Sequence, residues 1–280
     1  MAGTKRSWEG NLVSKSPASP ATDKMVAENA EQQQEQPSLI QSMFTDFRNE
    51  LDEHHDRRER IIKASRDITA LSKKIVRTLK SPLPKSIAKE TTDRLAQITS
   101  LFTSILPDLT GINAWRYQWQ ISPGIQEYIE AATFNHYIQT QEIMSLEQVV
   151  ASLPQGILVT EADYVLGLFD LTGEMMRFAV TAMVKGSSTP MTTKTATTGE
   201  EPSRQDTIVV DLRELRALFE SLNVRHGRHG LSRDMPKKME VMQASVEKVE
   251  RAAYGLLVRG SERPGGWVPD LSGAMEVESY

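Results

Sequence analysis

The sequence predicts an all-α chain, a single domain of six or seven helices built as a bundle with a long first helix. Three observations carry this. Apolar residues recur at intervals of three and four over long stretches. Residues that start and stop helices sit at the ends of those stretches. No segment alternates with a strand period, and Ile208-Val-Val210 leads straight into helical spacing.

Taken in order, residues 1–37 read as a disordered tail, rich in Ser, Pro, Ala, Glu and Gln. Pro37-Ser38 opens a helical pattern that runs to about Lys80. Its seam is Ile40, Phe44, Phe47 and Leu51, then Ile61, Ala64, Ile68, Leu71, Ile75 and Leu79. Such a helix spans roughly 60 Å at 1.5 Å per residue, too long for a compact core, so a bundle or an oligomer contact is expected. Ser81-Pro-Leu-Pro84 ends it, because neither proline continues a helix. A second helix is expected from about Ser86 to Leu106. Ser122-Pro123 reads as the start of a third, a cap followed by proline in the first turn, running to about Glu142. Ser145 with Glu147-Gln148 opens a short helix closed by Pro154-Gln-Gly156. Thr160-Glu-Ala-Asp163 resembles a capping box for a helix to about Lys185. That helix is apolar around most of its circumference and should be central. Residues 186–205 are rich in Ser and Thr and read as a flexible loop. Helices from about Asp206 to Asn223 and Met235 to Arg259 complete a domain over 38–262, and 263–280 reads as a loose tail.

Composition narrows the chemistry. The chain has 280 residues, 39% hydrophobic and 25% charged, which is ordinary for a globular protein. Cysteine is absent, which excludes disulfide staples, thiol catalysis and sulfur-held zinc. No apolar run is long enough to span a membrane, and no secretory h-region is visible. The formal net charge of -4 gives no general attraction for nucleic acid, so any basic surface must be local or come from a partner.

Two acidic pairs carry the strongest chemical signal. Glu127 with Glu130, and Asp170 with Glu174, have spacings that put each pair on one helix face. Facing each other, they would form an oxygen-rich cage suited to Mg²⁺ or Mn²⁺. Spacing leaves a second reading open for Glu127 and Glu130, acids in an exposed first turn favoured by the helix dipole. Asp163, Gly167, Asp170, Glu174 and Arg177 share a narrow polar strip on an otherwise apolar helix. A solvated strip with a Glu174–Arg177 ion pair is the plainer account, but the apolar surroundings favour a buried or partner-facing strip. Gly167 and Gly173 leave room for a close approach of backbone or ligand.

Other features are weaker. Arg60, Lys63, Arg66, Lys74 and Arg77 form a basic stripe that could follow a phosphate backbone. Trp115, Tyr117 and Trp119 could stack on bases, though such clusters more often pack. His54-His55 and His136 lack a metal-spaced partner. Phosphate-cradling glycine loops, a Gly-x-Ser-x-Gly elbow and a His-Glu-x-x-His helix are all absent. Metal-assisted hydrolysis is the enzymatic class left standing.

Four collinear segments resemble the translin family, and within it the translin-associated factor X branch in a fungal form. They are Gly124-Ile-Gln-Glu-Tyr-Ile-Glu-Ala131 with Phe134-Asn-His-Tyr-Ile138, Asp163 through Arg177, Glu59 through Ile68, and Val246 through Glu262. The resemblance implies a seven-helix fold and assembly with translin into a hollow hetero-octamer. It implies a Mg²⁺-dependent endoribonuclease acting on single-stranded RNA, in small-RNA passenger-strand removal and, in fungi, transfer-RNA processing. It assigns the catalytic roles to Glu127, Glu130 and Asp170, which hold the metal, with Glu174 beside them as a further metal ligand. Arg60, Lys63 and Arg66 lie in a matching segment and are the expected RNA contacts, with single-stranded DNA a further expected ligand. The expected location is the cytoplasm, with the nucleus as a second compartment. The alternative is a non-catalytic nucleic-acid-binding scaffold that partners translin.

Overall fold

The computed structural model describes residues 38–80, 84–186, 204–224 and 230–259. Its elements are α1 (Leu39–Leu79), α2 (Pro84–Ile105), a 3₁₀ turn (Leu106–Leu109), α3 (Asn113–Arg116), α4 (Gln118–Thr140), α5 (Leu146–Ala151), α6 (Glu161–Gly186), α7 (Arg204–Ser221) and α8 (Leu231–Arg259). Among the described residues there is no strand, as predicted. The helix beyond the expected seven is α3, a four-residue piece too short to show a period. The expected tails and residues 187–203 of the expected loop lie outside the described residues. Of the expected loop's ends, Gly186 closes α6 and Arg204 opens α7.

The chain divides into two compact units at Asp52/Glu53, a boundary the expected domain 38–262 did not contain. The described part of the first unit is the start of α1. There the seam residues Ile40, Phe44, Phe47 and Leu51 are all exposed. In the second unit the same seam is buried: Ile61, Ile68 and Ile75 are fully enclosed. Apolar residues every seven positions keep one stripe of a long helix against its neighbours.

Helix α6 is the centre of the second unit, packed between α4 and α8, with α7 against both α6 and α8. Leu171 and Met175 of α6 meet Ile125, Ile129 and Phe134 of α4 and Met242 and Val246 of α8 in one core. Stacked Phe169 and Phe219, with centroids 4.0 Å apart, join α6 to α7. Two glycines set the closest approaches. A Cβ at Gly124 would lie 3.0 Å from the Ser65 carbonyl oxygen of α1, and the Gly124 N–H donates to Ser65 Oγ at 3.1 Å. A Cβ at Gly167 would lie 2.8 Å from Ile129 Cγ2 and 3.0 Å from the Gln126 carbonyl oxygen. The α4–α6 separation therefore depends on a hydrogen at that position.

The capping signals behave as expected, with one exception. Ser145 and Gln148 form a reciprocal capping box on α5. Thr160 Oγ1 accepts from the Asp163 N–H at 3.1 Å, while Asp163 Oδ2 accepts from the Thr160 N–H at 3.3 Å. The exception is Ser122-Pro123. The helix already begins at Gln118, and Pro123 lies inside it. The chain enters α4 directly from α3, with the Gln120 and Ile121 N–H groups donating to the Tyr117 carbonyl. Pro123 removes a single ladder bond just inside the new helix, a tolerable loss near an end. Ser122 instead donates to the buried Asp163 carboxylate, which also accepts from Gln118 Nε2 (2.7 Å), Gln126 Nε2 (3.1 Å) and Thr160 Oγ1 (2.7 Å).

Candidate functional site

Beyond these anchors, α4 and α6 present the two acidic pairs to a common cavity of about 1260 Å³. Glu127, Glu130, Asp170 and Glu174 all line it. Their setting is cationic: Lys73 and Arg77 come from the end of α1, Lys80 from the turn just after it, Arg177 from α6, and Arg233, Lys237, Lys238 and Lys248 from α8. Spacing alone had left open an exposed first turn for Glu127 and Glu130. They lie instead in the middle of α4, because that helix starts earlier than its proline suggests.

The four carboxylates are not equivalent. Glu174 is the most enclosed, its side chain 7% exposed, and it is doubly paired. Lys80 Nζ donates to its Oε2 at 2.6 Å, and the Arg177 guanidinium donates to its Oε1. Burial alone would raise its pKa, but the Arg177 and Lys80 hydrogen bonds outweigh that and hold it below the ordinary value. Asp170 accepts from Lys238 Nζ at 2.5 Å. Glu127 pairs with Lys73 at 3.1 Å, yet burial outweighs that ammonium and pushes its carboxyl up. Glu130 makes no hydrogen bond or ion pair among the described residues. Burial, with the charges of Glu127, Asp170 and Glu174, pushes it up to about 8.

This arrangement bears on a metal in two ways. Carboxylate oxygens are the donor type that Mg²⁺ and Mn²⁺ select. A carboxyl raised by burial and by neighbouring carboxylates is neutralised by a proton or by a cation, so Glu130, with Glu127 and Asp170 beside it, fits a divalent ion in kind. In position, no three His, Asp or Glu side chains among the described residues converge on one point at ligand distance. The lysine ammoniums on Glu127 and Asp170 occupy that role instead.

The expected RNA contacts fall elsewhere. Arg60, Lys63 and Arg66 do not line the cavity. Arg60 is committed to Asp108, donating from Nε at 2.9 Å and Nη2 at 2.7 Å, in a pairing that the basic stripe alone could not reveal. Lys63 and Arg66 are exposed. Of the stripe, Arg77 does reach the cavity wall. Sequence reasoning missed Lys73, Lys80, Lys237 and Lys238. Lys73 lies on α1 beside the apolar seam, Lys80 just past its end, and Lys237 and Lys238 follow Pro236 in the first turns of α8, but only the packing shows that these parts meet.

Comparison with known proteins bears on the fold and ancestry. A model of the translin family matches residues 56–260. Translin-associated protein X of Rattus norvegicus is 28% identical over 262 residues, covering 84% of each chain. The translin-associated protein X homolog of Schizosaccharomyces pombe is 30% identical over 232 residues, covering 80% of this chain and 91% of its own. The crystal structure of apo-NeC3PO superposes with a TM-score of 0.56 at 17% identity, covering 74% of this chain and 94% of that one, and so shares the fold.

Proposed function

The chain belongs to the translin family, and from that premise we propose that it is the catalytic subunit of a translin-containing, Mg²⁺-dependent endoribonuclease acting on single-stranded RNA. The observation that carries the proposal is the crowding at Glu130, whose carboxyl is pushed up to about 8 inside a cavity rimmed by cations. A buried carboxyl with no cation of its own, as at Glu130, is accommodated only with a proton or an added cation. Assembly with translin follows from the relatives' name, translin-associated protein X.

In this reading Glu127, Glu130 and Asp170 hold Mg²⁺ or Mn²⁺. The ion would supply a lower pKa for the attacking water and an electrophile for the phosphoryl oxygen. Arg77 and Lys248, which have no ion pair among the described residues, receive the phosphates of the strand. Glu174 does not hold the ion directly. Locked by Lys80 and Arg177, it fixes the α6 face that presents Asp170 one turn earlier. The RNA-contact role passes from Arg60, Lys63 and Arg66 to the cationic cavity wall.

The test is cleavage of a fluorescent single-stranded RNA by the complex co-purified with translin. Glu127→Gln and Asp170→Asn should each abolish Mg²⁺-dependent cleavage while assembly survives. Undiminished cleavage by either variant, or cleavage untouched by EDTA, refutes the assignment. A second reading, a non-catalytic nucleic-acid-binding subunit, is favoured by the lysines already paired with Glu127, Asp170 and Glu174. It predicts RNA binding with no metal-dependent turnover.

A further inference from the structure

Trp119 lies in the first turn of α4 and is 62% exposed, an unusual setting for the largest apolar side chain. It is not bare. The Arg233 guanidinium lies 5.6 Å from the ring centroid, within cation–π range, and Arg233 is itself part of the cavity wall. Asp234 accepts from Arg233 at 2.8 and 3.1 Å, which holds the guanidinium where it meets the ring. The indole is thus oriented beside a residue of the cavity wall without lining the cavity itself, and most of its surface is open to solvent. On α4 it shares a face with Glu130, about 16 Å along the axis at 1.5 Å and 100° per residue. A base on the indole and a linkage at the carboxylates would therefore belong to different nucleotides of one strand.

We propose that Trp119 is a stacking platform for an unpaired nucleobase of the same strand whose phosphates enter the cavity, with Arg233 holding the ring in place. The inference rests on reading the cavity as a single-strand site, and it adds a contact to the base rather than to the backbone. Duplex bases are already stacked on one another, so an exposed ring beside the cavity wall favours unpaired strands. Stacking of this kind tolerates any base, because every base offers a π face.

Trp115 provides an internal control. It is 67% exposed and close in sequence, and like Trp119 it is not itself part of the cavity wall, but no cation covers its ring among the described residues. The experiment is fluorescence anisotropy in EDTA, with the co-purified complex and a labelled oligoadenylate or an abasic strand of equal length. Trp119→Ala and Trp119→Leu should weaken oligoadenylate binding roughly 5- to 150-fold. Trp119→Phe should retain most of the affinity, and Trp115→Ala all of it. The Trp119→Ala loss should vanish on the abasic strand. Unchanged binding by Trp119→Ala, an equal loss in Trp115→Ala, or an equal loss on the abasic strand overturns the platform. So does dissociation of the complex in Trp119→Ala on size exclusion, which would make the ring an interface residue. If the wild type binds neither strand, the single-strand reading falls as well. If binding is normal but indifferent to Trp119, the platform alone falls.

Discussion

Replacing Glu130 by glutamine should make the protein more stable in alkali and leave it unchanged in acid. The carboxyl sits at about 8 in the folded protein, against an ordinary 4.5. Below about pH 4.5 the folded and unfolded chains are both protonated there, and the favourable neutral form is fully present. Between about 4.5 and 8 the unfolded chain ionises and the folded chain does not, so stability falls as pH rises. Above 8 the loss is complete. At about 1.4 kcal/mol per pH unit the full penalty is roughly 5 kcal/mol. Solvent reaches part of this side chain and screens the repulsion, so we expect about 2–3 kcal/mol. Glutamine keeps the shape of the protonated acid without its charge. Urea denaturation in EDTA at pH 5, 7 and 9 is the assay. Glu130→Gln should match the wild type at pH 5 and exceed it by about 2–3 kcal/mol at pH 9. Parallel stability profiles across this range would refute the reasoning, because they would mean that burial and the charges of Glu127, Asp170 and Glu174 do not burden Glu130.

Other perturbations reach the same region by different routes. Saturating Mg²⁺ at pH 8 should raise the melting temperature of the wild type, by about 2.7 kcal/mol of stability at a hundred times Kd, and should not move Glu130→Gln to the same extent. Glu174→Ala strands Lys80 and Arg177. Because both cations are partly exposed, the expected cost in thermal denaturation is about 2 kcal/mol, below the ~3–5 of a fully buried pair. Gly167→Ala gains roughly 1 kcal/mol of helix propensity but drives a methyl into Ile129 and the Gln126 carbonyl. A net loss of about 1–2 kcal/mol is expected, with weaker Mg²⁺ binding by calorimetry as the acidic helices part. Ser145→Ala should cost about 1 kcal/mol through the α5 cap and leave RNA binding untouched.

Local chemistry was legible wherever one segment held the whole signal. The α5 box, the Thr160–Asp163 box, the α1 seam from Ile61 to Leu79 and the polar strip of α6 all stand in the sequence because their partners lie within one or two turns. Pro123 misled because proline marks a first turn only when no helix precedes it, and α3 already supplied the entering turn. Arg60 looked available for RNA because Asp108, its partner, is on another element. The same limit hid the lysines. Nothing in the sequence near Asp170 announces Lys238, and nothing near Glu127 announces Lys73. Ion pairs across a bundle are fixed by packing, which no local spacing encodes.

The Asp163 cluster has a mechanical consequence. Its carboxylate ties the first turn of α6 to Gln118, Ser122 and Gln126, across two turns of α4. Apolar faces alone permit two helices to slip past each other by a turn, about 5.4 Å, and still find grooves. A slip here would strand a buried charge, so the two helices have one axial phase. The carboxylates farther along inherit that phase as marks on two rulers pinned at one end. The precision of the cavity is set at a distance, by a residue that never faces it.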